Sequence, residues 1–151
     1  MLDNTISVGS DHRGFNLKNI IVKNLIKKKM TVFDIGTYNI SESVDYPDYA
    51  NIVAKNIISG KTHRGILICG SGIGMSIAVN RYPEIRAALV YNVLNTELSR
   101  KHNNANVICL GADCISEKTA LECINIFLKT QFEYQHHSRR IEKLSSFLNK
   151  K

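Results

Sequence analysis

The fold is decided by the stretch Ile66-Leu67-Ile68-Cys69-Gly70-Ser71-Gly72-Ile73-Gly74. A short apolar run ending in cysteine has the length of a buried strand, and glycines at alternate positions end it. Apolar residues then return at helical spacing in Met75, Ile77, Ala78 and Val79. A strand that turns through glycines straight into a helix is the first half of a parallel β-α-β unit. Glycine takes positive φ and lets bare backbone approach a ligand closely. The opening turn of the helix adds unpaired N–H groups and the positive end of its dipole. A cysteine at such a point is favoured as the thiolate. The segment therefore reads as a nucleophile or base beside an anion cradle, which points to an enzyme.

Outward from this stretch, short β-branched runs alternate with amphipathic ones. Thr5–Ser10 is predicted as the first strand, and residues 15 to about 28 as a helix with Leu17, Ile20, Ile21 and Leu25 on one face. Thr31–Ile35 is the second strand, closed by Gly36. After a polar loop through Ser41-Glu42-Ser43 to Asp45, Pro47 marks the first turn of a helix reaching about Ile58. Gly65–Cys69 is the third strand and Ile73–Asn80 its helix, followed by a fourth strand over Arg86–Val90. Asn95-Thr96-Glu97 opens a helix to about Lys101, Asn106–Leu110 is the fifth strand, and a helix covers Ser116 to about Lys129. A final helix is expected over Ser138–Asn149. This alternation predicts one α/β domain over residues 1–151, a doubly wound three-layer sandwich (Rossmann-like) with a five-stranded parallel sheet and an extra C-terminal helix. With no strand after it, that last helix is expected to pack across a neighbouring subunit.

Composition narrows the function classes. The 151 residues are 44% hydrophobic and 22% charged, ordinary for a soluble globular chain. No apolar run approaches the ~20 residues of a membrane helix, and Met1-Leu2-Asp3-Asn4 lacks a signal-peptide pattern, so a cytoplasmic protein without a membrane partner is expected. Cysteines at 69, 109, 114 and 123 show no Cys-x-x-Cys spacing, which suits reduced thiols and neither zinc nor a disulfide framework. The net charge of +7 favours anionic partners. Its lysines cluster at Lys27-Lys28-Lys29 and Lys150-Lys151, a helix end and a tail, and no aromatic residues interleave with them. That pattern argues for a phosphorylated metabolite rather than nucleic acid.

In an open α/β sheet, ligands sit outside the carboxyl ends of the strands, where strand order reverses. Asp11-His12, Cys69 with its glycine loop, Tyr91-Asn92 and Gly111-Ala112-Asp113 all fall at that edge. Each has a plainer reading. Cysteine is often simply buried, Asp11 can cap the first helix, and Ser71 can be a small residue in a tight turn. Cys109, Cys114 and Cys123 read as packing, and His63 and His136-His137 as solvated surface. Rival phosphate motifs fail by counting. Gly74-Met75-Ser76 lacks the Walker lysine, Gly-x-Gly-x-Gly is not the dinucleotide fingerprint, and a cysteine-phosphatase loop needs arginine where Met75 stands. A cradle for an enediolate or another oxyanion fits better.

Four segments in one order then resemble a single family: Val8-Gly9-Ser10-Asp11-His12-Arg13-Gly14, Asp45-Tyr46-Pro47-Asp48-Tyr49-Ala50, the Ile66–Gly74 stretch, and Leu98-Ser99-Arg100-Lys101-His102-Asn103. The chain resembles the type B ribose-5-phosphate isomerases and their relatives acting on six-carbon sugar phosphates, over nearly its whole length. The resemblance implies an isomerase without metal or cofactor that interconverts D-ribose 5-phosphate and D-ribulose 5-phosphate. Alternatives are an allose- or galactose-6-phosphate type isomerase, or a non-catalytic sugar-phosphate-binding homologue. It implies Cys69 as the base working through a cis-enediolate. Gly70, Ser71, Gly72, Ile73 and Gly74 would supply N–H groups to the oxygens, with the Ser71 hydroxyl where the family often has threonine. His102 would open the sugar ring with help from Asp11, while His12, Tyr46 and Asn103 hold the sugar or its phosphate. Of the family's phosphate-binding arginines, Arg140 matches, whereas Asp113 and His136 stand at arginine positions, with Arg139 or His137 as neighbours to compensate. A carboxylate at 113 repels phosphate unless it points away. His102 and Asn103 follow a helix and precede the fifth strand, so they are expected at the sheet edge opposite Cys69. They would then serve a neighbour's site in a homodimer or a dimer of dimers.

Overall fold

The structure, a computed structural model, describes residues 4–146. Its elements run β1 (Thr5–Ser10), α1 (Phe15–Lys27), β2 (Thr31–Gly36), α2 (Tyr46–Ile58), β3 (Arg64–Cys69), α3 (Ile73–Val79), β4 (Ala87–Leu89), α4 (Val93–Asn103), β5 (Val107–Gly111), α5 (Glu117–Lys129) and α6 (Gln135–Ser146). The sheet is parallel throughout, in the order β2-β1-β3-β5-β4. This is the expected α/β sandwich with its added last helix.

Side-chain alternation along β3 builds the layers, because successive residues of a strand face opposite ways. Ile66 and Ile68 join Ile6, Val8, Ile108 and Leu110 beneath α1 and α5, where Ile21, Leu25, Ile124 and Phe127 are fully enclosed. Leu67 and Cys69 turn to the other face, against Val53 and Ala54 of α2 and Met75 and Val79 of α3. Cys109 lies in this second layer, where burial and the nearby Cys69 push its thiol well up from the ordinary range. α4 packs beside α5, and α6 lies against α4.

From β1 the chain passes to β2 on one side and to β3 on the other, so strand order reverses between β1 and β3. A crevice outside the carboxyl ends of those two strands follows from that reversal.

Three boundaries differ from expectation in ways that matter. α4 opens at Val93, before Asn95, because Asn92 and Asn95 form a capping box: each side chain accepts the other's backbone N–H. The helix also continues through His102 and Asn103 to a left-handed Asn104, so both residues lie in its last turn rather than after it. α6 begins at Gln135, ahead of Ser138, and the expected stretch 147–149 lies outside the described residues.

Candidate active site

Asp11, Arg13, Tyr46, Cys69, Gly70, Ser71, Gly74, Asp113 and Cys114 line an open cleft of about 400 Å³ at the carboxyl ends of β1, β3 and β5, within the ~300–1,000 Å³ usual for small-molecule sites. The β4 end, Tyr91-Asn92, is not among these lining residues.

The chain from β3 into α3 sets the reactive corner. Cys69 is the last strand residue and is 5% exposed, and its Sγ accepts the Gly72 N–H at 3.2 Å. That donor is available because Gly72 turns the chain at φ +76°, a conformation only glycine takes cheaply. A Cβ there would also sit 2.6 Å from Leu89 Cδ1 and 2.9 Å from the Leu110 carbonyl carbon. The Ser71 Oγ accepts the Ile73 N–H at 3.2 Å. Two of the expected cradle donors thus bond Cys69 and Ser71, and the Gly74 and Met75 amides are those of an opening helical turn.

Asp11 is buried, and it does not cap α1 itself, whose N-cap is Gly14 without a side-chain hydrogen bond. One carboxylate oxygen accepts the Gly14 N–H at 3.0 Å, fixing the turn ahead of α1, and the residue still lines the cleft. His12 stands beside it but outside the lining set. Its Nδ1 accepts the Val44 N–H at 3.2 Å, which places the proton of the neutral ring on Nε2. Tyr46 opens α2 and lays its ring against Gly74.

The remaining predicted residues gather elsewhere. His102, Asn103, His137 and Arg140 line a second hollow, with Ile141 and Leu144. Arg86, just before β4, donates to the Asn103 carbonyl at 3.1 Å, which ties this group to the amino ends of the strands. It is therefore at the edge opposite Cys69, as the sequence predicts. His136 is exposed beside His137, their ring centroids 4.0 Å apart. His102, Glu133 and His137 bring donor atoms within 4.8 Å of one another, a donor set of the kind zinc takes. Lys101 already lies 3.7 Å from Glu133, and Arg140 places positive charge near His137, so the cluster has cations of its own.

The model of the Ribose/Galactose Isomerase family matches residues 6–144. The chain belongs to that family. Its sequence is 39% identical to ribose-5-phosphate isomerase B of Escherichia coli over 141 residues, covering 93% of this chain and 94% of that one. The crystal structure of a ribose 5-phosphate isomerase from Thermotoga maritima is 45% identical and superposes with a TM-score of 0.92, covering 94% and 97% of the two chains. Ribose-5-phosphate isomerase B from Mycoplasma genitalium, solved with bound ribulose-5-phosphate, is 36% identical with a TM-score of 0.92 and 97% coverage of both chains.

Within this family frame, two sequence readings need correction. Cys114 does not serve packing: it is exposed, lines the cleft, and holds its Sγ 3.9 Å from the Gly70 carbonyl. His137 is not a solvated residue. It is 8% exposed and stacks on His102. Of the alternatives open for Asp113, the structure shows that it lines the cleft, where Arg13 donates to it through Nε, at 3.0 Å, and through Nη2. Arg13 was legible only as part of the first motif, since its partner lies 100 residues on.

Proposed function

We propose that this chain is an aldose–ketose isomerase interconverting D-ribose 5-phosphate and D-ribulose 5-phosphate, acting as one catalytic domain in the cytoplasm within the non-oxidative pentose phosphate pathway. The observation that carries this reading is the Cys69 thiol at the mouth of a glycine cradle, with Asp11 and Ser71 on the same cleft, in a chain of this family. Cysteines at 69, 109, 114 and 123, without Cys-x-x-Cys spacing, suit a reducing compartment.

The chemistry follows from these groups. Cys69, as thiolate, takes the proton from C2, and the electron pair becomes a C1–C2 double bond while the former carbonyl oxygen gains negative charge. The thiol then returns the proton to C1. Amides of the Gly70–Gly74 loop other than those of Gly72 and Ile73, which bond Cys69 and Ser71, stabilise the developing oxyanions, the interaction that contributes most in sites of this kind. The Ser71 hydroxyl carries a proton between O1 and O2. Before this, the furanose must open: an acid protonates the ring oxygen while a base removes the O1 proton. His102 performs this step with Asp11, and His12, Tyr46, Asn103, His136 and Arg140 hold the sugar and its phosphate.

Because His102 lies at the far strand edge, it completes the cleft of a second copy in a homodimer. Ile73 and Ile77 on α3, with Leu94 and Leu98 on α4, support such a pairing as exposed apolar residues spaced four apart on their helices. A six-carbon sugar phosphate is the second reading, favoured by the galactose members of the family.

Ketose formation from ribose 5-phosphate and from allose 6-phosphate, each with and without chelator, tests the proposal. Turnover of the five-carbon substrate is expected to persist under chelation and to fall by about 10²–10⁴-fold in Cys69→Ala, the usual contribution of a positioned base. Unchanged turnover in that variant would refute it.

A further inference from the structure

We infer that Arg13, held over the glycine loop by Asp113, is the residue of this chain's own cleft that binds the substrate phosphate. The inference rests on the isomerase reading for the identity of the substrate and on the geometry below for the residue.

The loops after β1 and β5 lie on either side of β3, since Ser10 pairs with Ile68 and Cys69 with Gly111. The Ala112 N–H donates to the Cys69 carbonyl at 2.9 Å and the Asp113 N–H to the Gly70 carbonyl at 3.0 Å, which locks the second loop to the first residues of the cradle. Arg13 reaches across from the first loop and meets Asp113 above Gly70. A Cβ on Gly70 would fall 2.7 Å from Arg13 Nε and 3.0 Å from Asp113 Oδ2. The pair therefore forms a bridge over the end of β3, one residue past the catalytic thiol.

Arg13 is the one cation among the described residues that line this cleft, and the substrate is a dianion. Its Nε and Nη2 both bond a single carboxylate oxygen, Oδ2. A guanidinium carries five N–H donors in a fixed fork, so Nη1 has no partner among the described residues. The side chain is 59% exposed and its charge is reinforced by the hydrogen bond to Asp113. An arginine with one edge anchored and the other open is prepared for a phosphate oxygen. Asp113 then has two opposed effects: it orients the fork, and its own charge opposes the phosphate.

The two partners should consequently shift phosphate affinity in opposite directions, which an ion pair serving only the fold would not do. The full-length protein is titrated calorimetrically with inorganic phosphate, and ribose 5-phosphate kinetics are measured beside it, for wild type, Arg13→Ala, Arg13→Lys and Asp113→Asn. Arg13→Ala is expected to weaken phosphate and raise KM by roughly ten- to a hundredfold while kcat changes less. Arg13→Lys should recover part of the loss, and Asp113→Asn should tighten phosphate severalfold. Phosphate affinity unchanged in Arg13→Ala, or weakened alike in Arg13→Ala and Asp113→Asn, would overturn the inference. Wild-type protein that binds phosphate through Arg13 but turns over no sugar phosphate would overturn the isomerase reading and leave this one standing.

Discussion

His102 and His137 stack almost parallel, their ring centroids 4.4 Å apart and their planes 14° from each other, and so join the last turn of α4 to the first turn of α6. The stack brings together the residue proposed to open the sugar ring and one that sequence alone leaves on the surface. His137 is held below the ordinary histidine value of 6.5, first by burial and then by the charges of His136, His102 and Arg140, with Glu133 acting the other way.

A depressed histidine makes folding pH-dependent with a definite sign. Below about 6.5 the unfolded chain takes up a proton at this position before the folded chain does, so stability is complete above that pH and falls as acid is added. His137→Phe keeps a stacking ring without the proton. Urea denaturation at pH 7.5 and 5.5 should show a smaller loss between the two pH values in this variant than in wild type. Equal losses would remove His137 as the cause.

A buried ion pair gives a sharper stability test. Lys18 on α1 has a side chain only 1% exposed, and its Nζ meets both carboxylate oxygens of Asp34 on β2 at 2.7 and 2.8 Å. Removing one partner of a buried pair strands the other, at a cost of about 3–5 kcal/mol, whereas replacing both partners with apolar side chains is often close to neutral. Asp34 is partly open to water, so Asp34→Ala should lie near the lower end of that range. Lys18→Met should cost less, because the carboxylate it strands is partly open to water whereas the ammonium stranded by Asp34→Ala is enclosed. Denaturation midpoints that rank the two variants the other way would contradict this account.

Two left-handed glycines separate backbone strain from crowding. Gly60 has φ +75° with nothing within 4 Å of an added Cβ, while Gly72 has φ +76° with Leu89 and the β5 backbone inside 3 Å. Gly60→Ala should cost on the order of 1–2 kcal/mol from conformation alone. Gly72→Ala should cost more, because the neighbouring atoms of Leu110 and Gly111 are backbone, and should also lower turnover by displacing the N–H aimed at Cys69. Similar losses of stability for both would mean that the cradle yields to an extra carbon.

Much of the architecture was legible because hydrophobic period changes visibly between strand and helix, and because the Ile66–Gly74 stretch joins one to the other. The opening of α4 was not, since two asparagines three residues apart set it by exchanging side-chain bonds rather than by any apolar repeat. The site was legible as far as its local parts reach: Cys69 with its loop, Asp11 in its turn. Arg13 with Asp113 and His102 with His137 are pairs made by distant segments, and a single sequence carries no sign of which charges or rings will meet. Lys18 was hidden for a related reason, because its buried charge is explained only by a carboxylate on the next strand.

The opposed positions of Cys69 and His102 make the last prediction one of subunit exchange. Cys69 ends β3, whereas His102 sits in the last turn of α4 at the amino edge of the sheet. If each cleft takes its ring-opening histidine from the other copy, a heterodimer of Cys69→Ala and His102→Ala subunits holds one site with both groups intact and one with neither. Random re-pairing makes half of the dimers heterodimers, so mixing two nearly inactive proteins should restore roughly a quarter of wild-type activity. Were both groups to act within one subunit, every site in the mixture would keep a defect. Absence of recovery, with exchange verified by mass spectrometry of differently tagged subunits, would therefore exclude the shared site.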